Sequence, residues 1–196
     1  MTRIEAEVIG TERLLLVPQR VEHAQEMAVV LSDPGLHRFI GGEPATAEEL
    51  TSRCARMAAG PSDPAVSWCN WVIRLREDEE DGDQGQLAGT VQATIGPAGP
   101  GTEPWLVADI AWVVGTAMQG RGIATEAARG LVGWLERRTT VREIAAYVHP
   151  DHAASNAVAR NAGLEPTDEW HDGEVRWLRG LLRPRGTSAQ RTTPSR

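Results

Sequence analysis

Two glycines flank an arginine in residues 119–124, at the point where an apolar run gives way to a helix-forming stretch. Gly120 and Gly122 lack side chains, so they can take positive φ angles and let a ligand's phosphates approach the backbone closely. The unpaired N–H groups and the dipole at the start of the following helix attract anions. Arg121 adds a positive charge. This spacing predicts a binding site for a diphosphate.

Two common diphosphate motifs do not fit these residues. A P-loop needs Gly-Lys-Ser/Thr, and this chain has no lysine, because all 20 of its basic residues are arginines. A dinucleotide fingerprint needs a small third residue where Thr125 stands, and it normally opens its domain, whereas this turn lies past the middle of the chain.

Residues 119–124 instead resemble the Q/R-x-x-G-x-G/A signature of the GNAT superfamily of N-acetyltransferases. Residues 149–164 resemble the strand end, loop and helix that come next in that family. Ser155, Val158 and Gly163 match its pattern there, whereas His152 and Leu164 replace an asparagine and a phenylalanine. The resemblance covers residues 11–182, and the ribosomal-protein N-acetyltransferase-like branch is the most similar.

The periodicity of the chain predicts the elements that would position these motifs. Strands are predicted at residues 11–18, 68–75, 87–95, 108–114, 143–149 and 175–182, and helices at 21–31, 46–59, 125–138 and 154–162. A meander of antiparallel strands before a β–α–β unit, together with the resemblance, implies an α+β fold of three α/β/α layers with a mixed, mostly antiparallel twisted sheet. One domain is expected over residues 1–183, and a disordered tail over 184–196.

The resemblance implies that acetyl-coenzyme A is the co-substrate. No residues in the sequence have the spacing of a metal site, so no metal is expected. Backbone amides of Val113 and Val114 would meet the thioester carbonyl, and Asn156 would contact the pantetheine chain or simply be exposed. The pyrophosphate would be held by the turn itself, which consists of Gln119, Gly120, Arg121, Gly122, Ile123 and Ala124.

Acetyl transfer to an amine needs a proton acceptor for the amine and a proton source for the departing thiolate. Many family members place a tyrosine in the last helix as the acid, but Ala159 occupies the matching position. Ser155 is therefore the candidate acid, with a local helix-capping role as the alternative. Asp109 stands where relatives often carry a glutamate and is the candidate base, with a structural carboxylate as the alternative.

Other polar residues are secondary candidates. Glu43 and Glu174 flank loops expected near the acceptor, and each could equally be a surface carboxylate. Histidine as a residue type can exchange protons near neutral pH, so His149 and His152 could act as bases, although a role in ordering the loop is favoured. The only tyrosine, Tyr147, is placed in a strand.

Composition narrows the functional class further. A net charge of −7 argues against direct nucleic-acid binding. No apolar run approaches the length of a membrane span, and no secretory segment is evident. The two cysteines lack metal-ligand spacing and are expected to be reduced thiols. We therefore expect a cytoplasmic protein.

These observations predict an N-acetyltransferase that uses a ternary complex to move an acetyl group directly to a primary amine. That amine would belong to a protein N-terminus or a small molecule, and the enzyme would be a monomer or a homodimer. The alternative is a non-catalytic acyl-coenzyme A-binding module on the same fold.

Overall fold

Eight strands form a single sheet in the computed structural model, which describes residues 3–76, 85–98, 105–138 and 140–181. The strands are β1 (Ile9–Gly10), β2 (Leu14–Pro18), β3 (Ser67–Leu75), β4 (Leu87–Pro97), β5 (Leu106–Val114), β6 (Val141–Val148), β7 (Glu165–His171) and β8 (Glu174–Gly180). Their order in the sheet is β1-β2-β3-β4-β5-β6-β8-β7. Every neighbouring pair is antiparallel except β5 and β6, which are parallel. The predicted α+β architecture is confirmed.

Helices cover both faces of the sheet. They are α1 (Ala24–Val30), α2 (His37–Ile40), α3 (Ala47–Ala59), α4 (Ile123–Glu136) and α5 (Ala153–Asn161), with short 3₁₀ turns at Val21–His23, Pro34–Leu36 and Thr116–Met118. The helix predicted at 46–59 begins with a capping box, in which Thr46 Oγ1 accepts from the Glu49 amide and Glu49 Oε2 accepts from the Thr46 amide.

The main core lies between α4 and one face of the sheet. Trp134 of α4 meets Trp71 of β3 edge to face at 5.0 Å between ring centroids, and both rings are fully buried. Such rings bury large apolar areas and dominate the packing energy. On the opposite face, α1 and α3 cover Val72 and Leu87 in a smaller cluster. Near β5 this second face is left open.

The sequence-based boundaries differ from the structure in several places. The helix predicted at 125–138 begins two residues earlier, because Gly122 serves as its N-cap, and the strand predicted at 11–18 begins only at Leu14. The edge strand β7 was missed, because nearly all of its residues are exposed and it shows no apolar alternation. The last predicted strand, at 175–182, extends one residue beyond the described residues. The tail at 184–196 lies entirely outside them, so the domain bounds stay a prediction.

Candidate active site

Strands β5 and β6 separate part of the way along the sheet. They pair from Leu106 to Asp109 on β5 and from Val141 to Ala145 on β6, and no pairing continues beyond that point. From there β5 stays paired with β4 as far as Val114, and β6 stays paired with β8. The gap opens into a cavity of about 690 Å³.

The register of β5 decides which of its amides face this gap. Leu106 N donates to Thr140 O, on the β6 side, whereas Gly115 N donates to Ala88 O, on the β4 side. Backbone N–H groups alternate in direction along a strand, so those of Trp112 and Val114 point into the gap. The amide of Val113, which was expected to face the ligand, points towards β4 instead.

The turn after β5 has the conformation that its glycines predicted. Gly120 has φ 73° and Gly122 has φ 77°, and Gly122 is the N-cap of α4 without any side-chain cap. The six N–H groups of residues 120–125 have no protein acceptor within the described residues, and Glu126 N is the first to donate, to Gly122 O. This unpaired row at the positive end of a 14-residue helix forms an anion cradle.

Most of the predicted site residues line the cavity, and Gln119 also connects the cradle to β5 by donating from Nε2 to Val114 O at 3.0 Å. Those in the wall are Asp109, Val113, Val114, Gln119, Gly120, Gly122, Ile123, Ala124 and Ser155.

Two predicted residues lie outside the wall. The exposed Arg121 donates from Nη1 to Met118 Sδ. Asn156 donates from Nδ2 to Pro150 O at 2.9 Å, so its amide nitrogen is used to order the loop between β6 and α5.

Ser155 is the third residue of α5 and lies half-buried in the cavity wall. Within the part of the chain that the structure describes, its hydroxyl makes no hydrogen bond, and α5 has no side-chain cap. No contact therefore supports the alternative role of Ser155 in capping the helix, and its hydroxyl is available to a ligand. Ala159, one turn further along the helix, is completely buried.

Asp109 lies where β5 and β6 part, paired with Thr94 of β4 and Ala145 of β6. Its side chain is exposed to the cavity, yet the surrounding protein desolvates it enough to raise the pKa of its carboxyl group, against the opposing charge of Arg176. Arg176 is itself held by Glu169 at 2.8 Å and Glu143 at 3.4 Å. A raised pKa suits a carboxylate that must exchange protons near neutral pH.

An aromatic contact joins α2 to the loop before α5 at the cavity wall. The Phe39 ring stacks on His152 with 4.2 Å between centroids and lies 5.6 Å from His149. Burial, and then the neighbouring His149, lower the pKa of His152, which favours its neutral form. Glu174 lies in the wall, whereas Glu43 does not.

Among the polar residues of the wall, sequence reasoning missed Gln92 and Thr94 of β4. The sequence pattern that could have identified them is their alternation with the apolar residues Val91 and Ala93, which are buried. This alternation places both polar side chains on the open face of the sheet. Sequence reasoning also did not identify Trp112, which lies in the wall and whose amide faces the gap.

Neither cysteine lies in the cavity wall. Cys54 and Cys69 are buried free thiols, and burial raises the pKa of Cys69 to about 12. The described residues contain no group of three or more His, Cys, Asp or Glu side chains that could hold a metal ion.

A sheet split beside an anion cradle has room for a diphosphate and for an extended chain attached to it, and the family match gives the class, an acetyltransferase. Residues 13–165 match the model of the acetyltransferase (GNAT) domain, and the chain belongs to this family. A comparison with the curated proteins finds no match.

Solved structures with the same fold include three whose ligands or substrates are stated. One is RimL, a ribosomal L7/L12 alpha-N-protein acetyltransferase in complex with coenzyme A, at 20% identity over 89% of this chain and 98% of that chain, with a TM-score of 0.68. Another, from Salmonella typhimurium, modifies the N-terminal serine of ribosomal protein L7/L12, at 20% identity over 90% and 100%, with a TM-score of 0.67. The third is the microcin C7 self-immunity acetyltransferase MccE with acetyl-CoA and AMP, at 14% identity over 87% and 94%, with a TM-score of 0.64.

None of the helices in the described segments combines the length and the apolar character needed to cross a membrane.

Proposed function

We propose that this protein transfers the acetyl group of acetyl-coenzyme A directly to a primary amine. The observation that carries the proposal is the row of unpaired N–H groups at residues 120–125, next to a gap in the sheet into which two further amides point. A diphosphate on the cradle would leave the pantetheine chain to run between β5 and β6. The thioester would then reach Asp109 and Ser155.

Each step of the reaction can be assigned to a group in the cavity. Asp109, through a water molecule, takes a proton from the ammonium group of the acceptor, and the freed nitrogen attacks the thioester carbon. The amides of Trp112 and Val114 donate to the carbonyl oxygen as negative charge develops on it. The C–N bond forms and the C–S bond breaks, and the Ser155 hydroxyl donates a hydrogen bond to the leaving sulfur. The attacking nitrogen releases its second proton to water, and the thiolate takes up a proton from water, so the products are an amide and the coenzyme A thiol.

Direct transfer fits the chemistry of the wall, because neither cysteine is placed to form an acetyl-enzyme. The acceptor is a protein N-terminus or a small amine, in keeping with the ribosomal protein and the microcin named for the structural neighbours. Two buried, unpaired cysteines suit a cytoplasmic enzyme, acting as a monomer or homodimer.

One observation favours a second candidate, a non-catalytic acyl-coenzyme A-binding module. Many family members carry a tyrosine that acts as the acid at the position of Ala159. Because this residue is a buried alanine, no phenol is present there to protonate the sulfur. An amine-library assay with acetyl-coenzyme A separates the two candidates, because only the enzyme releases free coenzyme A in the presence of an acceptor.

Calorimetric titration of acetyl-coenzyme A tests the proposed cofactor. The Gly120→Glu, Gly122→Glu double variant adds bulk and negative charge to the cradle, and we expect it to lose the binding shown by the wild type. Gly41→Glu, Gly42→Glu is the matched control, because these two glycines have similar φ angles of 75° and 71° and open space around them but lie outside the cavity wall. Absence of binding to the folded wild-type protein would overturn the proposal.

A further inference from the structure

A hydrogen-bonded cluster connects the start of β2 to the first turn of α4. Arg13 donates from Nε to Glu126 Oε2 at 2.7 Å and from its backbone N to Oε1 at 2.8 Å, and its Nη2 also lies 2.7 Å from Oε2. Thr11 Oγ1 donates to Oε1 at 2.6 Å. The Glu126 side chain is 17% exposed, whereas that of Arg13 is 54% exposed and lies beside the cradle.

Arg13 also holds the cradle turn directly. Its Nη1 donates to Arg121 O at 3.2 Å, and a methyl group built on Gly122 would lie 3.4 Å from its Nη2. The C=O and N–H groups of one trans peptide point in opposite directions. Because Arg13 holds Arg121 O on its own side, the N–H group of Gly122 is turned away from Arg13, and Gly122 lies in the cavity wall.

Glu126 creates an electrostatic problem for a phosphate site. Burial opposes its ionisation, but the combined hydrogen bonds from Thr11 and Arg13 lower the pKa of this carboxyl group, so it is charged. A carboxylate in the first turn of α4 repels a diphosphate bound at the same helix end, because both are anions attracted to the same dipole. Arg13 supplies the compensating charge at contact distance.

We infer that Arg13 is a positioning residue for the diphosphate of the acyl donor: it aims the Gly122 amide at the phosphates and neutralises Glu126. This inference rests on the proposed function. It assigns a role to a residue more than a hundred positions before the cradle in sequence.

Titration of coenzyme A and of pantetheine, which lacks the diphosphate, tests this role in the full-length protein. In Arg13→Gln we expect coenzyme A affinity to fall about tenfold or more. The variant loses the charge-assisted hydrogen bond to Arg121 O and leaves the negative charge of Glu126 without its partner. The loss for pantetheine should be several-fold smaller. Arg129→Gln is the control, because Arg129 is an exposed arginine of α4 that also donates to a backbone carbonyl, Asn161 O at 2.7 Å, but lies outside the cavity wall.

Two further variants separate positioning from a general structural role. Adding Glu126→Gln to Arg13→Gln removes the uncompensated carboxylate, so part of the coenzyme A affinity should return. If Arg13→Gln does not fold, Arg13→Lys keeps the charge but loses the fork that bridges Glu126 and Arg121 O, and it should bind coenzyme A less tightly than the wild type.

The inference is overturned if a folded Arg13 variant binds coenzyme A as well as the wild type, or if coenzyme A and pantetheine lose affinity equally. A double variant without any recovery overturns the neutralising role. Wild-type protein that binds no coenzyme A contradicts the proposed function itself, which is a different result.

Discussion

Asp109 is the last residue of β5 that pairs with β6, and its partner at that point is Ala145. The carboxyl group of Asp109 therefore sits at the apex of the gap, between the path expected for the thioester and the open face that carries Gln92 and Thr94. A proton acceptor at this apex can serve both the incoming amine and a water molecule beside it. Its position, more than its residue type, makes it the strongest candidate base.

Replacing Asp109 with asparagine should lower kcat/KM for the acceptor about a hundredfold or more, the usual contribution of a general base. In the wild type the rate should rise with pH through the pKa of Asp109, which burial raises above its ordinary value while Arg176 opposes the shift. The pH–rate profile of Asp109→Asn should lack that acidic limb. Asp168→Asn, on the exposed strand β7, is the control and should keep it.

The same substitution should not destabilise the protein. Because the folded-state pKa of Asp109 is raised, folded protein binds this proton more readily than unfolded protein, and the ionised side chain costs stability at neutral pH. Thermal unfolding of Asp109→Asn at pH 7 should therefore occur at the wild-type temperature or above it. A large drop in melting temperature would mean that Asp109 is a structural carboxylate and would contradict its role as base.

Ser155→Ala tests the proposed donor to the leaving sulfur. We expect kcat to fall about tenfold or more, because a hydrogen bond to the developing thiolate forms mainly in the transition state. The KM for acetyl-coenzyme A should change little. Steady-state kinetics decide this, with Ser52→Ala on the exposed side of α3 as the control. A raised KM for acetyl-coenzyme A with an unchanged kcat would instead assign Ser155 to cofactor binding alone.

The cradle was predictable from the sequence because it is a local structure. Gly120 and Gly122 adopt positive φ within one turn of a helix, and every contact that this requires lies within a few residues. The C-terminus of α5 is similar: Gly163 has φ 85° and closes a Schellman motif, in which Leu164 N donates to Ala159 O.

The gap beside the cradle depends on pairing between distant segments, and the sequence did not define it. Which amide of β5 faces outward is decided by hydrogen bonds to Ala88 and Thr140, so Val113 and Val114 could not be told apart in advance. The contact of Asn156 with Pro150 O was not predictable for the same reason, since it depends on how the loop folds back on α5. Arg13 carries no local signal at all.

Gly89→Ala should impair both folding and catalysis. A methyl group on Gly89 would lie 2.2 Å from Val113 O and 2.8 Å from Val114 Cα, so β5 must shift at the point where its amides meet the gap. We expect a loss of about 1–3 kcal/mol in the free energy of unfolding, typical of overpacking, together with a lower kcat.

Gly96→Ala, in the same strand, is the control for this variant. Its methyl group would lie 3.4 Å from a single flexible contact, Val66 Cγ2, so its stability should stay within about 0.5 kcal/mol of the wild type. Denaturant unfolding and steady-state kinetics measure both effects. Wild-type stability and kcat in Gly89→Ala would show that this end of β5 moves without cost.

His152 should make the stability of the protein sensitive to acid. Its pKa is lowered by burial and by the neighbouring His149, so the folded protein binds this proton less readily than the unfolded chain. Neutral His152 makes its full contribution to the free energy of unfolding above the ordinary histidine pKa, and this contribution is lost as the pH falls below that value. For one proton the free energy of unfolding changes by at most about 1.4 kcal/mol per pH unit. His23 is shifted in the same direction by burial and adds to the effect.

His152→Phe keeps an aromatic ring against Phe39 but removes the titrating group. Between pH 7 and pH 5 the free energy of unfolding of this variant should therefore fall less steeply than that of the wild type. The remaining pH dependence includes the contribution of His23, which the variant keeps. His171→Phe is the control, because it makes the same substitution on a side chain that is 73% exposed on β7 and does not contact Phe39. Denaturant melts across this pH range measure the slopes, and an unchanged slope in His152→Phe would rule out this ring as the acid-sensitive contact.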